Sequence, residues 1–365
     1  MDTERSAVVM AKAEPDIPYP PRPRDPGRPV VLAAFALSAL AAAWFLVPRT
    51  TAFRTPAPLG KAGAVPYDIR RAEGTWYWVE RPAKAKARLM AAKAGATPRT
   101  VAEEDAIDAF DVAGNTIAWT AKSGSAWVVR ASDGQGAPRT LRSASTEAHG
   151  PCVDGSDIVW TERTAPAAPG LESLPTLGGS LQVVRCAATG GAPTVAATLP
   201  DAGRGVVVGR IGEAWWVAAL RIDYPGSTVV WQVPVQGGAP KRMASVSGPN
   251  APVRTASGDL LLLSPSREST SPVSSRVMLR LGADGRIERL ADWLPEGGAP
   301  YDGGASAFYV DRESPPVLWR PRGTDQLPEM VPAPSGHHAI AVGEGHLLLS
   351  GMGADDLELS EVAVP

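Results

Sequence analysis

Four histidines (His149, His337, His338 and His346) and two cysteines (Cys152 and Cys186) are the side chains of this sequence best suited to hold a metal or attack a substrate. Their spacing builds neither site. Adjacent residues on a strand point to opposite faces, so His337 and His338 cannot chelate one ion together. No pair shows zinc-ligand spacing, and two cysteines are too few for a structural zinc site or a disulfide scaffold. There is no Gly-x-Ser-x-Gly elbow, no phosphate loop and no His-Glu-x-x-His, and the carboxylates form no distinctive pair. The sequence therefore predicts no metal, no cofactor and no catalytic set. An enzyme built from residues scattered over several structural units stays open as an alternative, for example a hydrolase or lyase acting on a polysaccharide.

The aromatic residues carry a stronger signal. Short apolar runs recur along the chain: Trp76–Glu80 around Trp78, Ile117–Ala121 around Trp119, Ile158–Glu162 around Trp160 and Ala214–Ala218 around Trp216. Weaker copies centre on Leu262, Tyr309 and Leu348. Each is too brief for a helix and suits a strand buried on both faces. The centres lie 41, 41, 56, 46, 47 and 39 residues apart, the period of a propeller blade. Trp78, Trp119, Trp160 and Trp216 invite a reading as a ligand-stacking ladder. Packing between neighbouring blades is the better reading, because they hold the middle of a sandwiched strand.

Around each run the pattern repeats. A short strand (A) and a Gly-Asn, Asp-Gly or Gly-Asp turn precede the aromatic strand (B), as at Gly114-Asn115 and Asp154-Gly155. A variable loop leads to a third strand (C), such as Trp127–Arg130 or Val229–Val233, and to a turn such as Gly190–Pro193 or Gly237–Pro240. Gly supplies positive φ there, and Pro opens an outer strand that need not donate every N–H. Four antiparallel strands in each of seven units predict an all-β, seven-bladed β-propeller over residues 65–365. The A–B and C–D turns should share one rim, and the longer B–C and D–A connections the other. Loops carry function, so the second rim is the expected binding face. Arg221, Asp223, Tyr224, Arg267, Asp311 and Arg312 on its B–C loops are the candidate contact residues.

The Ile/Val-x-Trp-Thr strands at Trp119-Thr120 and Trp160-Thr161, the Val-Val-Arg strands and the Gly-Gly-Ala-Pro turns resemble propellers built on YWTD-type repeats. They are also similar to the Tol-system-like propellers of bacterial envelopes. The Asp that completes the YWTD motif is missing from both Trp-Thr pairs, so no contact of that Asp carries over. The resemblance covers roughly residues 65–365 and implies exported, non-catalytic binding of a protein or envelope component.

Ahead of the repeats, residues 1–28 are Pro-rich and aperiodic and read as a disordered tail. Pro29–Pro48 contains no charge, and about 20 residues of helix span a bilayer. A cleaved signal peptide ending at Ala41–Ala43 is the rival reading, but it would need a 28-residue, mixed-charge leader. An uncleaved single-pass helix is therefore expected, with the propeller on the extracytoplasmic side. Residues 49–64 read as a linker. Net charge −2 and a pI near 6.1 leave no basic surface of the kind nucleic acid needs.

Two further expectations follow from the blade pattern. Cys152 and Cys186 end strands A and C of one unit with strand B between them, about 9–10 Å apart and beyond disulfide reach. The seventh unit stops one strand short, at Pro365. The remaining segment with strand character, Thr50–Thr55, is expected to complete it, because sheets avoid unpaired edges.

Overall fold

The computed structural model describes residues 55–134, 136–165, 180–221, 227–247, 252–265, 276–295, 298–303, 307–311, 317–322, 326–351 and 357–364. They form seven four-stranded antiparallel sheets. Blade 1 comprises four strands in simple order: β2 (Tyr67–Ala72), β3 (Thr75–Glu80), β4 (Ala87–Ala92) and β5 (Arg99–Glu104). Blade 2 is β6 (Ala106–Ala113) to β9 (Arg139–Ala144), with β7 (Thr116–Ser123) and β8 (Ala126–Ser132) between. Blade 3 is β10 (Ala148–Asp154), β11 (Asp157–Arg163), β12 (Leu181–Ala187) and β13 (Thr194–Leu199). Blade 4 is β14 (Ala202–Ile211), β15 (Ala214–Arg221), β16 (Ser227–Pro234) and β17 (Lys241–Ser247). Blade 5 runs from β18 (Val253–Arg254) through β19 (Leu260–Pro265) and β20 (Arg276–Leu281) to β21 (Ile287–Leu294). Blade 6 runs from β22 (Ala299–Asp302) through β23 (Ala307–Asp311) and β24 (Val317–Arg320) to β25 (Glu329–Val331). The first strands touch in cyclic order, β2 to β6 to β10 to β14 to β18 to β22 to β26 (His337–Gly343) and back to β2. This is the predicted seven-bladed propeller.

The seventh blade joins both ends of the chain. Its order is β26, β27 (His346–Gly351), β28 (Glu358–Ala363) and then β1 (Ala57–Lys61). The expected closure by an N-terminal strand holds, but the strand is Ala57–Lys61 and not Thr50–Thr55, most of which lies outside the described residues. Leu59 explains the choice: it is fully buried in the core shared by blades 6, 7 and 1, a placement no residue of the polar run Thr50–Thr55 except Phe53 could match. Gly60 sits at an irregularity in the pairing of β1 with β28, where the register slips. Ala57 lies opposite Glu361 and Lys61 opposite Glu358, so β1 starts at the A–B rim and ends at the B–C rim.

The blade cores follow from the aromatic runs. Trp78, Trp119 and Trp160 are fully buried and occupy one register of strand B. Each faces the blade before it: Trp78 meets Leu347–Leu349, Trp119 meets Val79 and Leu89, and Trp160 meets Ala118 and Val129. Trp216 departs from the expected ladder. It packs forward on Leu260 and Leu262 of blade 5, and its neighbour Trp215 faces back towards Val159 and Leu181 of blade 3. One residue of offset in a strand exchanges the two faces. Each buried Trp removes about 150–250 Å² from water, at most roughly 4–6 kcal/mol apiece. Trp78, Trp119, Trp160 and Trp216 are all fully buried and form no surface for a ligand to stack on.

The junction of blades 7 and 1 is ionic as well as apolar. Arg71 of β2 binds Glu344 at 2.8 Å and Glu361 at 3.3 Å. The Trp76 indole N–H donates to the same Glu361 carboxylate at 2.7 Å. Glu344 also accepts from the backbone N–H groups of Glu73 and Gly74, in the A–B turn of blade 1. The approach is close enough that a Cβ on Gly343 would stand 2.7 Å from the Arg71 Cβ.

The connections differ from expectation in one respect. The D–A connections are mostly short, a single residue (Asp105) between β5 and β6, and the B–C turn of blade 2 is only Gly124-Ser125. Among the described residues no helix is long and apolar enough to cross a membrane; residues 29–48 lie outside them.

Cys152 and Cys186 are both free and buried. Strand pairing places Cys152 beside Val159 and Cys186 beside Ile158, which point to opposite faces of β11. Cys152 joins the core towards blade 4 and Cys186 the core towards blade 2, so the sheet itself stands between them. Burial pushes both thiols above the ordinary value, Cys152 well above it. Thiol labelling of the unreduced, denatured protein should count two free thiols, and a count of zero would contradict this placement. The closure predicts that Glu361→Ala lowers stability by about 1–3 kcal/mol, the cost of leaving a buried donor unpaired. Denaturant unfolding should show it, with protease cleavage appearing first at the β1–β28 seam.

Candidate functional site

The first strands line the central channel, and irregular pairing aims polar side chains into it. β2 and β6 slip register across Asp68 and Asp108, and β10 slips between His149 and Cys152. Such bulges bend a strand and re-aim a side chain. Asp68 has a φ of 42° and accepts a hydrogen bond from the Phe110 N–H of the next blade at 3.1 Å. Asp111 accepts in the same way from the Val153 N–H at 2.8 Å and pairs with Arg70 at 2.9 Å. Asp154 accepts from the Trp215 indole at 2.8 Å. Carboxylates of one blade thus hold the next around the first half of the ring.

The densest cluster lies where the first strands begin, at the B–C rim. His149 is 2% exposed. Its Nδ1 is 2.9 Å from Asp108 of blade 2 and its Nε2 is 3.3 Å from Glu147. Arg204 of blade 4 binds the other Asp108 oxygen at 2.5 Å, and Arg163 lies 3.6 Å from Glu147. The Trp127 ring meets the imidazole edge-on with centroids 5.3 Å apart. Gly150, at φ +52°, leaves room for Val206, which a Cβ would meet at 2.5 Å. Three blades are tied together by five charged groups.

Electrostatics fix the state of the cluster. Burial disfavours the charged imidazolium, but the hydrogen bonds to Asp108 and then Glu147 outweigh it and raise the His149 pKa above the ordinary 6.5. Burial likewise opposes ionisation of Asp108, and the His149 hydrogen bond and Arg204 reverse this and lower its pKa. The His149 hydrogen bond is the first cause of the lowered Glu147 pKa. With both ring nitrogens engaged, His149 offers no lone pair to a metal or a substrate proton. Among the described residues no group of three His, Cys, Asp or Glu side chains could hold a metal ion.

This cluster escaped the sequence reading, which found no role for His149. A signal was present: Tyr67, Asp108 and His149 are spaced 41 residues apart, the interval that separates Trp78, Trp119 and Trp160. Of the six rim residues expected, Arg221 ends β15 opposite Ala202 and lines a cavity of about 70 Å³ with Asp201, Trp231 and Arg242. Asp311 ends β23 opposite Val317. Both strand ends therefore lie on the B–C rim, on blades 4 and 6. Asp223, Tyr224, Arg267 and Arg312 lie outside the described residues. The remaining histidines do not gather: His337 Nδ1 lies 3.1 Å from the Ser335 carbonyl and His346 Nδ1 lies 3.0 Å from that of Glu344.

No family model matches the sequence, and no curated protein matches it. Solved structures do. TolB from Acinetobacter baumannii is 16% identical with a TM-score of 0.47, covering 80% of this chain; the chain spans 63% of that protein. YCF48 bound to D1 peptide is 11% identical with a TM-score of 0.51, over 85% of this chain and 95% of the other. An oligogalacturonate lyase in complex with manganese is 10% identical with a TM-score of 0.55, over 85% and 90%. The likeness is one of fold. The propeller resemblance seen in the sequence stands at that level on the two matches with TM-scores above 0.5, and similar propellers include a peptide-bound protein and an enzyme.

The pKa directions give a pH dependence. The raised His149 pKa contributes stability that is complete below 6.5 and is lost as pH rises through the elevated value. The lowered Asp108 and Glu147 values contribute stability present above their ordinary 3.8 and 4.5 and lost as pH falls through the depressed values. Denaturant midpoints should be highest between 4.5 and 6.5 and decline above that window. His149→Gln should flatten the upper decline.

Proposed function

We propose that this propeller is a membrane-anchored, exported binding module that engages a protein partner or envelope component across its B–C rim. The uncharged stretch 29–48 supports the anchor, and the Tol-like repeat pattern supports export. One observation carries the binding reading. The most concentrated polar cluster of the described ring commits both nitrogens of its histidine to its own scaffold. It makes a rigid charged mouth and leaves no base poised for proton transfer. The peptide bound to YCF48, a protein of the same fold, is consistent with this use. On this reading Arg221, Asp223, Tyr224, Arg267, Asp311 and Arg312 extend the contact surface over blades 4 to 6.

A photo-crosslinking residue at Tyr224 or Arg267 of the full-length protein, in native membranes, should trap one protein reproducibly. The same residue at Ser156 or Glu213, on the A–B rim, should not. Protease added to intact spheroplasts should cut or release the chain after Pro48. Crosslinks only from the A–B rim, or protection until lysis, would overturn the face or the orientation. Release of sugars from a polysaccharide by the purified protein would favour the enzyme instead.

A further inference from the structure

The geometry around His149 calls for a proton on each ring nitrogen. Ionised carboxylates only accept hydrogen bonds, and a neutral imidazole carries a single N–H. Asp108 Oδ2 stands 2.9 Å from Nδ1, and Glu147 Oε2 stands 3.3 Å from Nε2. Both contacts are hydrogen bonds together only in the imidazolium. In a neutral ring, one of them sets two lone pairs face to face. The Glu147 contact is the one to fail, because it is the longer of the two and Arg204 holds Asp108 from its other side at 2.5 Å.

A second complete pairing exists within the same cluster. The Glu147 oxygen that faces Nε2 also lies 3.6 Å from Arg163 Nη1. Asp108 with Arg204, and Glu147 with Arg163, are two pairs of opposite charge, so a neutral ring leaves the five groups in balance. The next carboxylate, Glu162 of β11, is occupied by Arg142 at 2.8 Å and by the Thr146 hydroxyl at 3.0 Å. From β8 the ring meets Trp127, and from β11 the Thr161 hydroxyl bonds the His149 carbonyl at 3.3 Å. Tyr67 and Asp68 of β2 act on the cluster through the charge of Asp108. The Nε2 proton reaches water through Glu147, whose side chain is 16% exposed.

We propose that His149 is a pH-operated switch at the B–C rim: losing its Nε2 proton, it keeps Asp108 through Nδ1–H and hands Glu147 to Arg163. Arg163 ends β11, where the connection to β12 begins. Its backbone N–H donates to the Glu147 carbonyl at 3.0 Å, and Thr164 and Ser180 close the connection with reciprocal bonds of 3.1 Å. The handover adds a side-chain link to the backbone one and tightens the root of that connection as pH rises. Histidine is the side chain whose ordinary titration lets such a change occur near neutrality. Burial opposes the charged ring and the hydrogen bonds to Asp108 and Glu147 outweigh it, so the transition lies above 6.5. It does not depend on what the rim binds.

The test uses the full chain in detergent, isotope-labelled at its histidine nitrogens, with His149→Gln to identify the His149 resonances. From about pH 5.5 to about pH 9 the ring should pass from two protonated nitrogens to one, retained at Nδ1. Arg163→Gln should raise the midpoint by roughly one pH unit, and Glu147→Gln should lower it by roughly as much. The handover makes these effects interdependent: adding Arg163→Gln to Glu147→Gln should leave the midpoint where it was. Equal shifts by Arg163→Gln in both backgrounds would mean that Arg163 acts through its field alone, and would overturn the handover. So would a proton retained at Nε2, or a ring that never changes state over this range. Exchange of the Arg163 amide, relative to the other amides of β11, should slow several-fold across the transition in the wild type and not in Glu147→Gln. Unchanged exchange in the wild type would also reject the switch. Both wild-type readings stand without any variant, should a substitution prevent folding.

Discussion

The ring depends on one carboxylate shared between its last strand and its first blade. Glu361 of β28 receives the indole N–H of Trp76 and the guanidinium of Arg71, while Arg71 also holds Glu344. A propeller blade has no stable partner until both neighbours are present, because its two faces are apolar. The contact at Glu361 closes the last gap in a nearly water-free setting. Unpaired, each of these groups would be a buried charge or donor, which is far costlier than the same group in solvent. The apolar packing of Leu59 and Trp78 draws blades 7 and 1 together, and the Arg71 bridge fixes how they meet.

The same division of labour recurs around the first half of the ring. Tryptophan fills the space between blades, and a carboxylate on the inner strand of one blade holds a backbone or indole N–H of the next. Buried acids near the aromatic strands follow the repeat with exchanged sources. Blade 1 uses Glu80 with Arg88, and blade 3 uses Glu162 with Arg142. Blade 2 has Ala121 at that position, and Glu104 from blade 1 serves the Trp119 indole and Arg130 instead. The position after Trp-Thr, Ala in one blade and Glu in another, therefore reflects which strand supplies the charge. The His149 cluster is the strongest form of this arrangement, since it spans three blades at once.

Much of the fold was legible because aromatic strands and glycine turns report local geometry. Seven centres and their turns translate directly into blades. Trp216 misled because the longer interval before it hides one residue of offset, and a strand reverses its faces with each residue. The closing strand was expected in kind but placed too early, since Ala57–Lys61 contains Pro58 and Gly60 and lacks the branched residues that mark strands. What makes it a strand is the exposed edge of β28, which is 300 residues away and invisible locally. The His149 cluster was missed for a related reason. Its members are ordinary alone, and their meaning comes from bulges that turn them into one channel. Cysteine placement was readable because it needed only strand order; the opposite faces of Cys152 and Cys186 make the separation firmer than distance alone.

The use of β1 as the outermost strand of the last blade has a consequence for how the molecule is made. Ala57 leaves the ribosome about 300 residues ahead of its partner Glu361. Contacts of such large sequence separation form late, because loop closure must precede any gain from pairing. Blades 1 to 6 can assemble in order as they emerge, each on the one before. The first strand must wait until β28 has been made, short and broken by proline and glycine, a composition that resists pairing with the wrong edge. The features that hid it from a strand pattern are those that keep it idle until its own blade exists.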